Sequence, residues 1–339
     1  MDLNLWWVPL IALTALALTW VLRRYAIARS LMDIPNVRSS HSLPTPRGGG
    51  VAIVLSFLFA IMLLAIEQDA DWSSTLVLFG SGLSIAILGF LDDHGHIAAR
   101  WRLLGHFCAA GWGLFWLRGL PPVDVFGATL NLGWFGVVLA LLYLVWLLNL
   151  YNFMDGIDGI ASVEAIFVCL GACLIYVLAG HVTLIPAPLL LAAAVGGFLF
   201  WNFPPARIFM GDAGSGFLGI ILGLLSLQAA WIAPELLWCW LILLGVFVVD
   251  ATVTLLRRLL RGEKVYVAHR SHAYQFAARQ YNAHLPVTLA VLAVNVFWLL
   301  PLALAVGLFG FDGSTVLVIA YSPLILLAVK FHAGELERV

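Results

Sequence analysis

Charged side chains are scarce in this sequence. Its 339 residues include 17 Lys and Arg and 18 Asp and Glu, together 10% of the chain. Soluble domains carry about a quarter charged residues, so most of this surface faces something other than water. The formal net charge of −1 gives no indication of a nucleic-acid partner, and we expect none.

Cysteine is rarer still, so a disulfide framework is not favoured. The four cysteines, Cys108, Cys169, Cys173 and Cys239, all lie in apolar stretches. Cys169 and Cys173 share a helix face, but packing thiols are favoured there over a metal pair or a disulfide. No internal repeat or separate soluble domain stands out, so we expect residues 1–339 to form one integral membrane domain.

Long apolar runs make up most of the chain. Runs of 17 or more apolar residues recur, and each can cross a hydrocarbon core of about 30 Å. No alternating barrel pattern is present, so the sequence predicts an all-α polytopic helical bundle. Eleven spans are predicted, the fourth being short and interrupted by glycines: 5–22, 50–66, 72–91, 102–117, 133–150, 160–179, 183–201, 214–232, 236–254, 287–308 and 314–331.

The basic residues predict the orientation of these spans. With the N-terminus outside, 16 of the 17 Lys and Arg residues fall in inner loops and only Arg118 falls outside. Because inner loops are enriched in Lys and Arg, we expect the N-terminus outside and the C-terminus inside. No basic residue precedes the apolar core of the first span, which favours a retained anchor over a cleaved signal peptide.

The segment "NLYNFMDGIDG" (149–159) places a polar residue at every third position, directly after the fifth apolar span. On a helix this spacing advances about 300° per step, so neighbouring members lie within about 60° of each other. A capped helix end would explain one aspartate but not four polar residues in register, so we favour a functional stripe. Its members are Asn149, Asn152, Asp155 and Asp158.

Two further acidic motifs lie on the same predicted side. Asp92 and Asp93 are adjacent at the end of the third span, where they repel unless a divalent cation or a shared proton relieves them. Solvated Asp pairs after helices are common, however. Asp212 stands in "GDAGSG", a turn whose free N–H groups suit phosphate, although an ordinary N-cap Asp is an equal alternative.

Two inner loops combine cations with other polar groups. His269 and His272 flank Arg270, and a solvated basic loop would explain the arginine more readily than the histidines. "PTPRGGG" (44–50) contains Arg47 and three glycines. It is either a break before the second span or a place where backbone and Arg47 approach an anionic substrate. "LLRRLLRGEK" (255–264) is interpreted as an extension of the ninth span or as an interfacial helix with its arginines near anionic headgroups, in either case without a catalytic role.

Together the clusters supply oxygen ligands for Mg²⁺, glycine turns for phosphates and cations for developing charge. Phosphoryl transfer needs these groups and little other chemistry from a protein. Because the groups lie at a membrane surface, we expect at least one substrate to be a lipid phosphate.

The motifs "LDD", "NLYNFMDGIDG", "FMGDAGS" and "HRSHAYQ", in this order, resemble those of the polyprenyl-phosphate N-acetylhexosamine-1-phosphate transferases. The resemblance spans about 33–280, followed by two C-terminal spans at 287–331, and is greatest to the branch that initiates lipopolysaccharide O-antigen. It implies Mg²⁺-dependent transfer, with Mn²⁺ as a substitute, of a sugar 1-phosphate from a UDP-N-acetylhexosamine to undecaprenyl phosphate. UMP would be released at the cytoplasmic face of a bacterial inner membrane. A homodimer is left open.

The resemblance also implies roles for individual residues. Asp212 and Asn152 would hold the metal, and Asp92 and Asp93 would activate or position the lipid phosphate. Asp155 and Asp158 would line the nucleotide and metal region, and His269, Arg270 and His272 the pyrophosphate or sugar. Further substrate contacts are expected from Thr45, Arg47, Asn149 and Phe209.

Two departures separate this chain from the phospho-MurNAc-pentapeptide translocase of the same family. No lysine precedes the "PTPRGGG" segment, and "HRSH" replaces a run of adjacent histidines. Both favour a smaller UDP-HexNAc donor without identifying the sugar, and the translocase is kept as an alternative. An ion-coupled transporter is a second one, with Asp250 and Glu164 as its candidate buried acids.

The transferase hypothesis requires five inner loops to converge: 39–50, 92–101, 151–159, 202–213 and 255–286. Their carboxylates should surround one polar pocket about 10 Å across, beside an apolar groove for the prenyl tail. His269 and His272 should border that pocket.

Overall fold

A computed structural model describes residues 6–35, 43–67, 72–95, 97–263 and 269–335. Residue 5, where the first span was predicted to begin, and positions 39–42 and 264–268 of the predicted inner loops lie outside the described residues. Within the described ranges the chain forms fourteen α-helices: α1 Trp7–Ala28, α2 Val51–Glu67, α3 Trp72–Gly95, α4 Ala99–Leu117, α5 Gly133–Met154, α6 Ile160–Ala179, α7 Pro186–Asn202, α8 Asp212–Ile232, α9 Glu235–Leu243, α10 Gly245–Leu260, α11 Ala273–Tyr281, α12 Leu285–Val294, α13 Leu300–Phe309 and α14 Gly313–Lys330.

Short irregular elements complete these ranges. Two antiparallel ribbons pair β1 (Met32–Asp33) with β2 (Thr45–Pro46) and β3 (Val123–Val125) with β4 (Ala128–Leu130). A 3₁₀ turn (Val182–Leu184) precedes α7, and a π-helical turn (Asn295–Leu299) joins α12 to α13. Pro301 follows the π turn; it has no N–H to donate and crowds the carbonyl four residues earlier, which a wider turn accommodates.

The prediction of a polytopic helical membrane protein is confirmed. In the part of the chain that the structure describes, eight helices are long and apolar enough to cross a membrane, or nine if the bent pair α9–α10 is one span. That pair occupies the predicted span 236–254 and turns by 72° at Leu244. The two remaining predicted spans coincide with α2, which has 17 residues, and α4, which has two arginines in its first turn.

Helix α8 forms the centre of the bundle. It packs against α3 and α5. Of the residues in its most apolar stretch, 83% are buried, the largest share among the eight long apolar helices. Phe217 of α8 meets Phe57 of α2 edge to face, with 5.9 Å between ring centroids. Because lipid tails are as apolar as leucine, such close packing rather than hydrophobic transfer holds membrane helices together. The four cysteines are free thiols, as predicted.

One end of the bundle is closed by the β3–β4 hairpin. Asp312 caps α14 by accepting from the N–H of Thr315, and its other oxygen accepts from the N–H of Gly127 in the hairpin. Hydrogen bonds from Ser314 and Thr315 lower the pKa of Asp312 to about 2. The C-terminal ends of α3 and α5 and the N-terminal ends of α8 and α11 meet at the other end, where the polar motifs lie.

Candidate active site

Arg47 joins two of the predicted carboxylates. Its Nη2 lies 2.6 Å from Oδ1 of Asp93 and 2.7 Å from Oδ1 of Asp212. Burial lowers the pKa of Arg47, but attraction to Asp212 and Asp93 outweighs it and raises the value. Arg47 and Asp212 are 165 positions apart in sequence, so the fold brings two distant segments into contact here.

Arg102 forms a second arginine–carboxylate pair beside the first. Its Nη1 lies 2.5 Å from Oδ2 of Asp92 and 3.9 Å from Oδ2 of Asp212. The other oxygen of Asp92 accepts from the N–H of Ile97, 2.7 Å away. From the sequence, Arg102 was counted only among the basic residues of the inner loops. The available indication was its place in the first turn of α4, directly after the loop that follows the Asp pair.

The N-terminus of α8 is capped by a residue of another helix. Asp93 of α3 accepts from the N–H groups of Asp212 (3.1 Å) and Ala213 (3.4 Å). The alternative that Asp212 is an ordinary N-cap is therefore wrong: the N-cap is Gly211, and Asp212 is the first helical residue. Its carboxylate is left to face the two arginines.

Two glycines make this contact possible. Gly211 has φ +79°, and a Cβ there would lie 2.7 Å from Oδ2 of Asp93. A Cβ on Gly89 of α3 would lie 2.6 Å from the backbone of Asp212. Side chains at either position would force α3 and α8 apart, because real Cβ atoms do not approach other heavy atoms so closely.

The predicted stripe on α5 is divided by the end of the helix. Asn149 and Asn152 lie inside α5, whereas the helix ends at Met154, so Asp155 and Asp158 follow it. Nδ2 of Asn149 donates to the carbonyl of Val145 (2.7 Å). Nδ2 of Asn152 donates to Oγ of Ser215 in α8 (2.9 Å), which leaves its amide oxygen as the group to offer a metal.

Asp155 lies close enough to the carboxylate cluster for the charges of that cluster to affect it. Burial raises the pKa of Asp155 well above its usual range, and the charges of Asp212 and Asp93 raise it further, while Arg47 opposes them. The Asp155 carboxyl therefore keeps its proton to a higher pH than a solvated aspartate does.

A cavity of about 640 Å³ opens beside the arginine–carboxylate cluster. Its polar wall combines side chains of α3, α4, α5 and α8, and its other wall is apolar. The polar lining residues are Asp92, Arg100, Arg102, His106, Asn149, Asn152 and Asp212, and the apolar ones include Ile85, Leu88, Leu103, Leu148 and Phe153.

Thr45, Phe209 and Asp158 line a different cavity of about 550 Å³. Oδ1 of Asp158 lies 3.1 Å from Nδ1 of His284, and Oδ2 accepts from the N–H of Ala206 (3.0 Å). The predicted site residues therefore line two separate cavities in the described part of the chain, where one pocket was predicted. The physical reason is that Asp158 lies beyond the end of α5, where His284 and the 204–206 turn hold its carboxylate.

The histidine motif lies at the N-terminus of α11. The rings of His269 and His272 stack with centroids 4.9 Å apart, and Phe153 lies 6.4 Å from each. Tyr274 donates to the carbonyl of Phe153 (2.9 Å), which ties α11 to the end of α5. The two histidines thus adjoin the larger cavity through Phe153, and neither lines it.

His269 and Arg270 have distinct surroundings. Burial, together with the nearby His272 and Arg258, lowers the pKa of His269 to about 3. Its Nδ1 lies 2.9 Å from Oγ of Ser271. Arg270 is half-buried, and its carbonyl accepts from Nη1 of Arg279 (3.0 Å).

The oxygen groups of the cluster fit a magnesium ion that substrate phosphates share. In the described ranges no group of three or more His, Cys, Asp or Glu side chains forms a metal cage. Mg²⁺ commonly uses one or two carboxylates together with phosphate oxygens and water. Oδ2 of Asp212, which lies 3.9 Å from Arg102, is less engaged than Oδ1, which lies 2.7 Å from Arg47. Asn152 lines the same cavity as Asp212.

Comparison with known proteins follows the same motifs. A family model described as glycosyl transferase family 4 matches residues 75–230. That range contains the Asp pair, the stripe on α5 and Asp212, but neither Arg47 nor the histidine motif.

Three curated relatives illustrate the similarity. A probable undecaprenyl-phosphate N-acetylglucosaminyl 1-phosphate transferase of Bacillus subtilis is 30% identical over 272 residues, 77% of this chain and 74% of that protein. A phospho-N-acetylmuramoyl-pentapeptide-transferase of Streptococcus thermophilus is 30% identical over 63% of this chain and 66% of that protein. A decaprenyl-phosphate N-acetylglucosaminephosphotransferase of Mycolicibacterium smegmatis is 29% identical over 65% of this chain and 60% of that protein. The matched segments thus span between 60% and 74% of these relatives' lengths.

Proposed function

The chain belongs to glycosyl transferase family 4, and from this premise we propose that it transfers N-acetylhexosamine 1-phosphate from a UDP-sugar to undecaprenyl phosphate. A phosphate oxygen of the lipid attacks the phosphorus that carries the sugar, and the bond from that phosphorus to the bridging oxygen breaks. UMP leaves with that oxygen, and the product is a lipid-linked sugar diphosphate that starts a cell-envelope polysaccharide. We assign this polysaccharide to lipopolysaccharide O-antigen, at the cytoplasmic face of a bacterial inner membrane.

The observation that carries the proposal is the pairing of Arg47 with Asp93 and Asp212 at the capped start of α8. This pairing adjoins the 640 Å³ cavity through Asp212, which lines it together with Asp92 and Arg102. The cavity therefore has one charged wall and one apolar wall. An amphiphile with a phosphate headgroup and a prenyl chain matches both walls. A soluble phosphate ester would leave the apolar wall without a partner.

The residues of this cluster would divide the work of phosphoryl transfer. Arg47 and Arg102 are positioned to stabilise negative charge that develops on the transferred group. Asp93 has both oxygens engaged by α8 and Arg47, which supports a role in positioning rather than as a base. Asp212 and Asn152 would hold Mg²⁺, which would neutralise phosphate charge when bound.

The smaller cavity is the proposed nucleotide site. Thr45, Phe209 and Asp158 are among its lining residues, and all three were expected to contact substrate. Asp158 would act there by fixing His284 and the N–H of Ala206, since both of its oxygens are engaged.

A phospho-MurNAc-pentapeptide transferase is the second candidate, because the Streptococcus thermophilus transferase of that kind has the same 30% identity to this chain, over a smaller share of it. The transporter alternative is weakened, because the carboxylate of Asp250 accepts hydrogen bonds from the N–H groups of Ala273 and Tyr274 at the start of α11. UMP release should be measured with purified protein, undecaprenyl phosphate, and UDP-GlcNAc, UDP-GalNAc or UDP-MurNAc-pentapeptide in parallel. Turnover with a UDP-HexNAc alone supports the proposal, and turnover with the pentapeptide donor alone supports the second candidate.

The same assay tests the metal. We expect EDTA to abolish UMP release and Mg²⁺ or Mn²⁺ to restore it. Asp212→Asn should lose about 100-fold or more in kcat, the range seen when one charged or polar group that stabilises a transition state is removed. Asp124→Asn, in the hairpin at the opposite end, is the matched control and should keep its activity. Full turnover in EDTA would contradict the metal assignment.

A further inference from the structure

Asp250 is a buried acid that the transferase motifs do not include. It lies in α10, is 6% exposed, and adjoins the start of α11. From the sequence, Asp250 was a candidate only for a buried acid of an ion-coupled transporter. The structure instead surrounds it with four donors of the inner end of the bundle.

Three of these donors are the backbone N–H groups of Ala273 and Tyr274, at the start of α11, and the hydroxyl of Thr254 in α10. Oδ1 accepts from the N–H of Ala273 (3.0 Å) and from Oγ1 of Thr254 (3.2 Å), and Oδ2 accepts from the N–H of Tyr274 (3.1 Å). A carboxylate at a helix N-terminus satisfies unpaired N–H groups and interacts favourably with the helix dipole.

The fourth partner is the ring of His272. Its Nδ1 lies 3.2 Å from Oδ1 of Asp250, and the histidine is 2% exposed. The His272 side chain also faces the N–H of Gln275 in a capping box. A proton on Nδ1 is nevertheless favoured, because an unprotonated Nδ1 would set its lone pair against a buried carboxylate oxygen.

The other ring nitrogen has no partner in the described part of the chain. Nε2 of His272 is buried and makes no hydrogen bond. Leaving a buried polar atom unsatisfied is unfavourable, so a ligand that supplies a donor to Nε2 binds more favourably. A carboxylate that fixes a histidine tautomer in this way is a recurrent device for presenting the second nitrogen.

We propose that Asp250 is a positioning residue that keeps Nδ1 of His272 protonated, so that Nε2 accepts a hydrogen bond from an O–H or N–H group of the bound donor sugar. This inference rests on the proposed function, because it takes the sugar nucleotide as the ligand. Asp250 itself contacts no substrate; it acts through His272.

The tautomer can be measured without any assay of activity. In protein labelled with ¹⁵N-histidine, we expect the His272 signals, assigned by their loss in His272→Ala, to show a protonated Nδ1 and an unprotonated Nε2. In Asp250→Asn the amide N–H₂ competes for the same position, so this pattern should invert or become mixed. A proton on Nε2 in the unchanged protein would overturn the proposal.

Activity then separates positioning from folding. We expect Asp250→Asn to lower kcat about 10- to 100-fold, as loss of a residue that orients a functional histidine does. Thr254→Val removes another donor to the same oxygen and should change kcat less than threefold. In the His272→Ala background, Asp250→Asn should cost nothing further, whereas a purely structural role predicts that the two losses multiply.

The outcomes distinguish this inference from the proposed function. Absence of UMP release from the unchanged protein with every donor would reject the proposed function, while the NMR result would still decide the tautomer. Multiplying losses, or full activity of a folded Asp250→Asn, would reject the positioning role alone. If Asp250→Asn does not fold, the spectrum of the unchanged protein remains decisive.

Discussion

Arg102 shows how a single cation changes the charge balance of the cluster. Its Nη1 contacts Asp92 at 2.5 Å and approaches Asp212 at 3.9 Å, so it links the predicted lipid-phosphate residue to the predicted metal ligand. Without Arg102, three carboxylates would share one remaining cation, Arg47, and repel each other more strongly.

We therefore expect Arg102→Gln to lower kcat/KM about 100-fold, which is the usual cost of removing one group that stabilises transition-state charge. Arg118→Gln, at the C-cap of the same helix and outside the 640 Å³ cavity, is the matched control and should lose at most a few-fold. Steady-state UMP release at varied lipid and UDP-sugar concentrations measures both. Equal losses in the two variants would show that general basicity, not the Asp92 contact, matters.

His269 predicts a pH dependence of stability. Burial lowers its pKa from the usual value near 6.5 to about 3, so between these values the unfolded chain binds a proton that the folded chain does not. Stability from this group is complete above pH 6.5 and decreases as the pH falls toward 3. We expect the Tm of the unchanged protein to drop more between pH 7.5 and 5 than that of His269→Gln. A larger drop in His269→Gln would contradict the sign of this shift.

The sequence allowed the candidate catalytic residues to be identified, but not the residues that contact them. Asp92, Asp93 and Asp212 stand out because acids are rare beside apolar spans. Their contacts with Arg47 and Arg102 depend on how α2, α3, α4 and α8 pack, which no local pattern encodes. Asp250 was visible as a buried acid, but its partner His272 is 22 residues away in sequence.

Among the secondary-structure elements, α6 and the π turn between α12 and α13 are joined by a buried polar pair. Nδ2 of Asn295 donates to Oε2 of Glu164 at 2.5 Å, and both residues are fully buried. Oε1 of Glu164 and Oδ1 of Asn295 have no partner in the described ranges. A protonated Glu164 can donate its O–H to Oδ1 of Asn295. The pair then joins these elements without a net charge.

This arrangement predicts how the pair responds to substitution. Glu164→Gln supplies an N–H in place of the carboxyl O–H and should change the free energy of unfolding by less than about 1 kcal/mol, whereas Asn295→Leu leaves the acid without its donor and should cost about 1–3 kcal/mol. Ser162→Ala, which removes a buried hydroxyl that has no partner in the described part of the chain, is the control and should be neutral. Unfolding in detergent measures all three. A larger loss for Glu164→Gln than for Asn295→Leu would mean that the glutamate is charged.

Helix positions were predictable because apolar length alone indicates a span, whereas helix breaks were not. Each predicted span coincides with a helix or a pair of helices. The 72° turn at Leu244 interrupts a continuous apolar run, so hydropathy gave no indication of it. The predicted span 133–150 stops four residues before the end of α5 at Met154, and "MDGIDG" continues the spacing of the stripe after the helix has stopped.

For the whole molecule, the proposed reaction requires the cluster of Arg47, Asp93 and Asp212 to face the cytoplasm, where UDP-sugars are made. The positive-inside count predicts that orientation, and the geometry places the β3–β4 hairpin at the opposite end. Two exposed positions report the two ends: Ala128 in the hairpin and Gln280 in α11. In a variant without native cysteines, a membrane-impermeant maleimide should label Ala128→Cys in cells whose outer membrane alone is permeabilised.

Gln280→Cys should react only after the inner membrane is also opened, because the bilayer blocks the charged reagent. The two variants share one background and one reagent, so each is the control for the other. The reverse pattern would place the arginine–carboxylate cluster on the outer face, away from any supply of UDP-sugar. The transferase proposal for this chain would then fail, even though its family membership would stand.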